Sequence, residues 1–256
     1  MRHIILALVF VILNQFPATA MVGGAAPADG PSAAGTAGGS VVVLVSSRGS
    51  SCSGVAIASS LVLTAAHCVR PGADYKIAEY DNARNLVLKD IAVIKHHPGF
   101  DATAAERNLA SADVALLKVG ATLRNQPAGL APAGSTVTVG DRLVVIGAGL
   151  ATPGEGKSGG TARIAELVVT GQPGTLQIRL VDPATRGERA GLGACTGDSG
   201  APVFRDYDGR PMVIGLVSWT TGPKLSDGCG GLTGVTPLTR YRSWIVDIAK
   251  ALANPL

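Results

Sequence analysis

Three short segments carry side chains whose types and spacing suit joint chemistry. In Thr64-Ala65-Ala66-His67-Cys68 a histidine follows an apolar strand and sits beside a cysteine able to fix the local backbone. A general base needs that kind of rigid seat. In Asp113-Val114-Ala115-Leu116-Leu117-Lys118 a carboxylate stands at the start of a buried run, where shielding from water would let it orient an imidazole. In Cys195-Thr196-Gly197-Asp198-Ser199-Gly200-Ala201-Pro202 glycines flank a serine, so that the backbone N–H groups of Gly197 and Ser199 can point at one spot. Two convergent donors form an oxyanion hole. Taken singly each segment has a plainer reading: a core or surface histidine, a turn-forming aspartate, a Gly-Asp-Ser-Gly turn. Their joint occurrence favours chemistry.

Elements able to position these groups are mostly strands. The 256 residues, 46% hydrophobic and 16% charged with 34 Gly and 15 Pro, describe a compact chain and exclude disorder and collagen. That length permits one large all-β domain or two small barrels sharing a cleft. Ser40–Ser46 is β-branched almost throughout. Further strands are expected at 54–58, 61–63, 85–93, 114–119, 136–139, 142–146, 163–170, 175–180, 202–205 and 212–218, with turn residues spaced as in antiparallel barrels. The stretch Ala121–Gly134, rich in Pro and Gly, reads as a boundary between two halves. From Leu238 to Leu252 the period changes, with Tyr241, Trp244, Ile245, Ile248, Ala249 and Leu252 at helical spacing. The 22 Lys and Arg against 18 Asp and Glu are scattered rather than clustered, which argues against a nucleic-acid partner.

The first twenty residues read as an export signal. Arg2 precedes an apolar run from Ile4 to Leu13, and Ala18-Thr19-Ala20 is a small-x-small cleavage site. That run is too short to span a bilayer, and no later segment reaches membrane length. Beyond an export signal lies an oxidising compartment, where Cys52, Cys68, Cys195 and Cys229 should pair, in one of three connectivities. A zinc site built from these cysteines, His67 and the His96-His97 pair fails on spacing, and neither a metal nor another cofactor is expected.

With these motifs in this order, the sequence resembles the chymotrypsin-like (trypsin-fold) serine proteases. Met21-Val22-Gly23-Gly24, Ser218-Trp219 and Tyr241-x-x-Trp244-Ile245 extend the likeness along the chain. The resemblance implies an all-β fold of two six-stranded antiparallel β-barrels, the active site in the cleft between them, and a C-terminal α-helix. On that scheme residues 21–125 form the first barrel, 126–237 the second, and 238–256 the helix and tail. It implies Ser199 as nucleophile, His67 as base, Asp113 as orienting acid, and bridges Cys52–Cys68 and Cys195–Cys229. The primary specificity pocket would have its floor at Gly193 and Ala194 and its walls at Ser218-Trp219-Thr220 and Gly234-Val235. No carboxylate stands at the floor position that trypsin-type enzymes use for Lys or Arg, and Thr220 occupies a position often held by Gly, so small or medium apolar side chains are expected. Lys224 and Asp227 lie in a nearby loop. Mature family chains begin Ile/Val-Val-Gly-Gly and insert the freed α-amino group beside the Asp preceding the nucleophile. Here that makes a pair of Met21 and Asp198, created by export cleavage itself. A serine-hydrolase elbow on a strand-to-helix turn is disfavoured, because Ala201 replaces the last glycine and no helix pattern follows. The implied molecule is a secreted monomeric endopeptidase acting on protein or peptide substrates and open to a protein inhibitor. Its opposite is a secreted binding module on the same fold.

Overall fold

The computed structural model describes residues 21–252 except Gly24, 29–32, Ala105, Glu106, Asn108 and Pro173. The export segment lies outside the described residues. Strands dominate. In chain order, β1 (Ala26–Pro27) and the short helix α1 (Ala33–Gly38) precede β2 (Val41–Ser46), β3 (Ser51–Ala58), β4 (Leu61–Thr64), β5 (Tyr75–Tyr80), β6 (Leu86–His96) and β7 (Ala115–Val119). Then come β8 (Arg142–Gly147), β9 (Arg163–Gly171), β10 (Ile178–Val181), β11 (Pro202–Tyr207), β12 (Arg210–Thr220), β13 (Thr233–Pro237) and the helix α2 (Arg242–Ala251).

Strands β2-β3-β4-β7-β6-β5 close into one antiparallel barrel. Strands β9-β10-β13-β12-β11-β8 close into a second through the β8–β9 pairing, with β1 added outside on β9. Closure leaves neither barrel a free edge within its ring. Each barrel has its own interior. Val42, Leu44, Val62 and Leu117 fill the first, and Leu143, Val145, Leu167 and Val203 the second. Between them runs a third apolar cluster, in which Val41, Val55, Leu61 and Leu116 of the first barrel meet Ile146, Phe204 and Leu216 of the second.

The termini cross over. Residues 21–23 and 25–27, expected with the first barrel, lie on the second. Val22 bridges Gly193, β1 pairs with β9, and Met21 and Ala25 are buried beside Leu143 and Val145. The physical reason is burial: the apolar side chains of Met21 and Ala25 find their cover in the second barrel's core. At the other end Tyr241, Ile245 and Ala249 pack with Ala112 and Val114 of the first barrel, and the His97 ring stands edge-on to Tyr241 and Trp244 at 4.8 and 5.1 Å. No helix among the described residues is long and apolar enough to cross a membrane.

Candidate active site

Strand pairing explains why His67 and Asp113 meet. β4 and β7 are antiparallel neighbours with Thr64 opposite Ala115, so the residues just after β4 and just before β7 emerge side by side. A 3₁₀ turn over Ala66–Val69 then carries His67 across to the carboxylate. Asp113 Oδ1 accepts the His67 backbone N–H at 2.9 Å, and Oδ2 faces His67 Nδ1 at 2.8 Å. Ser218 Oγ donates to the same Oδ2 at 2.5 Å. The register of β12 against β13 shifts between Val217 and Trp219, and such a bulge re-aims the intervening side chain. Burial alone would raise the Asp113 carboxyl, but the hydrogen bonds and charge of His67, with the bond from Ser218, outweigh it and hold the group below the usual carboxylate range. With Nδ1 turned to a carboxylate, Nε2 is left as the nitrogen able to accept a proton.

Ser199 approaches from the second barrel on the loop before β11. Cys68 Sγ lies 3.8 Å from His67 Nε2 and 3.7 Å from the Ser199 carbonyl oxygen, so one sulfur touches both. The loop is fixed at every turn: Asp198 N–H donates to Cys195 O, Gly200 N–H to Val217 O, and Cys195 is bonded to Cys229. Gly200 has φ +81°, and a Cβ there would overlap Thr64 Oγ1 and Ser53 O; only glycine fits. The N–H groups of Gly197 and Ser199 have no protein acceptor among the described residues, and Ser199 itself is half-buried.

Sequence reasoning missed Ser53. This fully buried residue donates its N–H to Ser199 O at 2.8 Å and its Oγ–H to Gly197 O at 2.9 Å, while Oγ accepts the Ala148 N–H at 3.0 Å. Thr64 Oγ1 in turn donates to Ser53 O. One residue thus pins both carbonyls that flank Asp198 to the first barrel, Gly197 O through its hydroxyl and Ser199 O through its backbone N–H. Its neighbour Cys52 was the only local signal. Ser218 was read as a pocket wall and proves also to be a partner of Asp113, a contact across 105 positions that no local pattern foretells.

Asp198 is wholly buried. Its Oδ1 accepts the Gly149 N–H and its Oδ2 the Cys195 N–H, both at 2.8 Å. Burial pushes its pKa up to about 7 despite those two bonds, and no cation among the described residues pairs with it. Met21 is also fully buried, in the same core cluster as Ala194 and Ala201 on either side of Asp198.

The residues expected to line a primary pocket come together with their walls in contact. Thr220 Oγ1 donates to Ala194 O at 2.8 Å, and Ala194 N–H donates to Thr233 Oγ1 at 3.1 Å. Trp219 pairs with Gly234 and Thr220 with Thr233, and a Cβ on Gly234 would overlap the Trp219 indole. Gly193 lies against Gly230. Open space lies instead in a cavity of about 570 Å³ lined by Trp219 together with His67, Asp113 and Ser218. Lys224 and Asp227 do not line it.

Cys52, His67 and Cys68 bring their ligand atoms within 4.8 Å of one another. The two sulfurs are bonded to each other, however, so neither is a thiolate able to bind a metal ion.

A family model described as Trypsin matches residues 29–245. The chain belongs to the trypsin family. Its two-barrel architecture is the trypsin fold. Rabbit vitamin K-dependent protein C is 29% identical over 235 residues, covering 80% of this chain and 48% of the relative. Thus the chain spans about half the length of that protein. Mouse kallikrein-8 is 28% identical over 76% of this chain and 75% of its own length, and trypsin-3 of Salmo salar is 28% identical over 76% and 81%. Among solved structures, human heparin binding protein superposes with a TM-score of 0.67 at 20% identity, covering 91% of this chain and 98% of its own. That likeness concerns the fold.

Proposed function

We propose that this trypsin-family chain hydrolyses peptide bonds through Ser199, His67 and Asp113. The observation that carries this is the double grip of one carboxylate on the backbone N–H and Nδ1 of His67, across from a serine flanked by two uncommitted N–H groups. Ser199 Oγ attacks the substrate carbonyl carbon as His67 Nε2 takes its proton. Gly197 and Ser199 N–H groups donate to the oxyanion. Collapse breaks the C–N bond, and Nε2 returns the proton to the departing amine. Water, deprotonated by the same nitrogen, then cleaves the acyl-enzyme ester and frees the acid and Ser199.

Maturation follows from Asp198. A buried carboxylate without a cation is costly to ionise, and cleavage after Ala20 would create an α-ammonium on Met21, which is buried in the same core cluster as Ala194 and Ala201. Pairing the two would complete the oxyanion loop, making the enzyme active upon secretion without a separate propeptide. The Thr220 to Ala194 bond supports a primary pocket limited to small apolar side chains, at the narrow end of the small or medium range read from sequence.

Intact mass before and after a fluorophosphonate, on the secreted protein and on Ser199→Ala, tests this reading. A chain beginning at Met21 that gains one adduct, absent in Ser199→Ala, is expected. No adduct on that same terminus would discard the peptidase in favour of the binding module, a reading that the joined pocket walls also suit.

A further inference from the structure

The cavity beside His67 has a charge imbalance that the hydrolytic groups do not use. Among the described residues its two carboxylates are taken: Asp113 by His67 and Ser218, and Asp101 by Arg107 and by the N–H and hydroxyl of Thr103. Its two guanidinium groups are not. Arg70 and Arg179 both line the space, and neither forms an ion pair among the described residues.

Strand register places Arg179 in particular. It lies opposite Gly234 on β13, and Gly234 lies opposite Trp219 on β12. Directly paired residues in antiparallel strands project on the same face, so Arg179, Gly234 and Trp219 form one row. Ile178 and Leu180, on either side of Arg179, are buried in the second barrel, which turns the guanidinium outward to the cavity. Gly234 contributes no side chain, and the indole lies across the gap. The result is an apolar wall of Trp219, Phe100 and Leu109 with a fixed positive charge beside it. Arg70 follows directly on the turn that carries His67 and adds to the same field. A planar guanidinium next to an apolar surface suits a carboxylate, which it can grip with two parallel bonds.

We propose that this cavity binds an acidic side chain of the substrate, close to the scissile bond, with Arg179 as the recognising group. The inference rests on the peptidase reading above. It makes recognition depend on a glutamate or aspartate in the cavity, complementing a primary pocket that admits little.

The test uses the secreted protein with Ser199→Ala, whose lost hydroxyl makes no hydrogen bond among the described residues. Labelled peptides differing only by Glu or Gln, scanned through positions on both sides of the bond to be cut, are titrated by fluorescence anisotropy. At one position the Glu peptide should bind about fivefold to tenfold tighter, the range of a charge-assisted bond in a half-enclosed site. Arg179→Gln should bring the ratio near one and Arg179→Lys should keep most of it. Salt near 1 M, where the screening length falls to about 3 Å, should shrink it. A ratio of one at every position, or one that survives Arg179→Gln, overturns the proposal. The same pairs given to the enzyme with Ser199 intact separate the two readings. Equal cleavage of Glu and Gln peptides rejects the acidic site and leaves the peptidase, whereas Glu-selective binding without cleavage rejects the peptidase and leaves the site.

Discussion

Replacing Asp113 by Asn tests the catalytic geometry through a conflict of donors. The carboxylate accepts three hydrogen bonds, from His67 N–H on Oδ1 and from His67 Nδ1–H and Ser218 Oγ–H on Oδ2. An amide has one oxygen and one NH₂ to offer in their place. If the amide oxygen takes the Oδ2 position, the NH₂ faces a backbone N–H that cannot reverse, leaving two buried donors opposed. If it takes the Oδ1 position, the backbone bond survives, Ser218 rotates to accept, and the NH₂ donates to Nδ1. The second arrangement wins, since imidazole and hydroxyl can both adapt. Its consequence is a proton on Nε2 in the neutral ring, so the nitrogen proposed to take the Ser199 proton can no longer accept one. Triads lose on the order of 10⁴ in kcat from this exchange. Loss of one charge-assisted bond should cost only about 1–3 kcal/mol of stability, so the variant should stay folded. Initial rates on a peptide ester or amide substrate, with thermal unfolding alongside, measure both. A folded Asp113→Asn with kcat within tenfold of the parent would refute the role given to this carboxylate.

Other outcomes follow from the same geometry. Gly200→Ala meets both a positive φ and the oxygens of Thr64 and Ser53; a loss of about 3 kcal/mol is expected, seen as a fall of roughly 10 °C in Tm, and an unchanged Tm would contradict the packing described. Thr220→Gly removes the hydroxyl that ties the pocket wall to Ala194, and cleavage after medium apolar residues relative to alanine should rise about tenfold; an unaltered profile would place selectivity elsewhere. In protein carrying extra residues before Met21, Asp198 has no new ammonium, and its folded pKa of about 7 lies above its unfolded one. Protons are then bound more tightly in the folded state, so stability should fall as pH rises between about 4 and 7, by up to the order of 4 kcal/mol. Chemical denaturation at several pH values should show this slope and its disappearance in Asp198→Asn.

Sequence made the strands legible where β-branched residues cluster, as in β2 and β12, or where an apolar run is short and bounded, as in β7, and the helical period of the C-terminus gave α2. It did not give β5. Glu79 in that strand is buried against Lys89, so the inward face carries a charge and the expected alternation is broken. Nor did it give β13, whose Thr-Gly-Val-Thr-Pro reads as a loop and becomes a strand because β10 and β12 hold it on both sides. The reverse error fell at 136–139, which is irregular; there Asp141 captures the N–H and hydroxyl of Thr138, and such local bonding competes with a ladder. His67 and Asp113 stand out because short motifs flank them, whereas the hydrogen bonds of Ser53 and Ser218 run between barrels to residues distant in sequence, which local patterns do not encode.

The crossing of the termini bears on how the molecule comes apart. The N-terminal strap belongs to the core of the second barrel and the C-terminal helix is seated against the first, so each half is clasped by chain from the other end. Neither barrel keeps its full complement of buried surface if they part. Unfolding should therefore be a single cooperative event despite two separate barrel interiors, and a nick in the stretch between β7 and β8 should leave the two pieces held together. The cleft that holds His67 and Ser199 is a seam between halves that stand or fall as one.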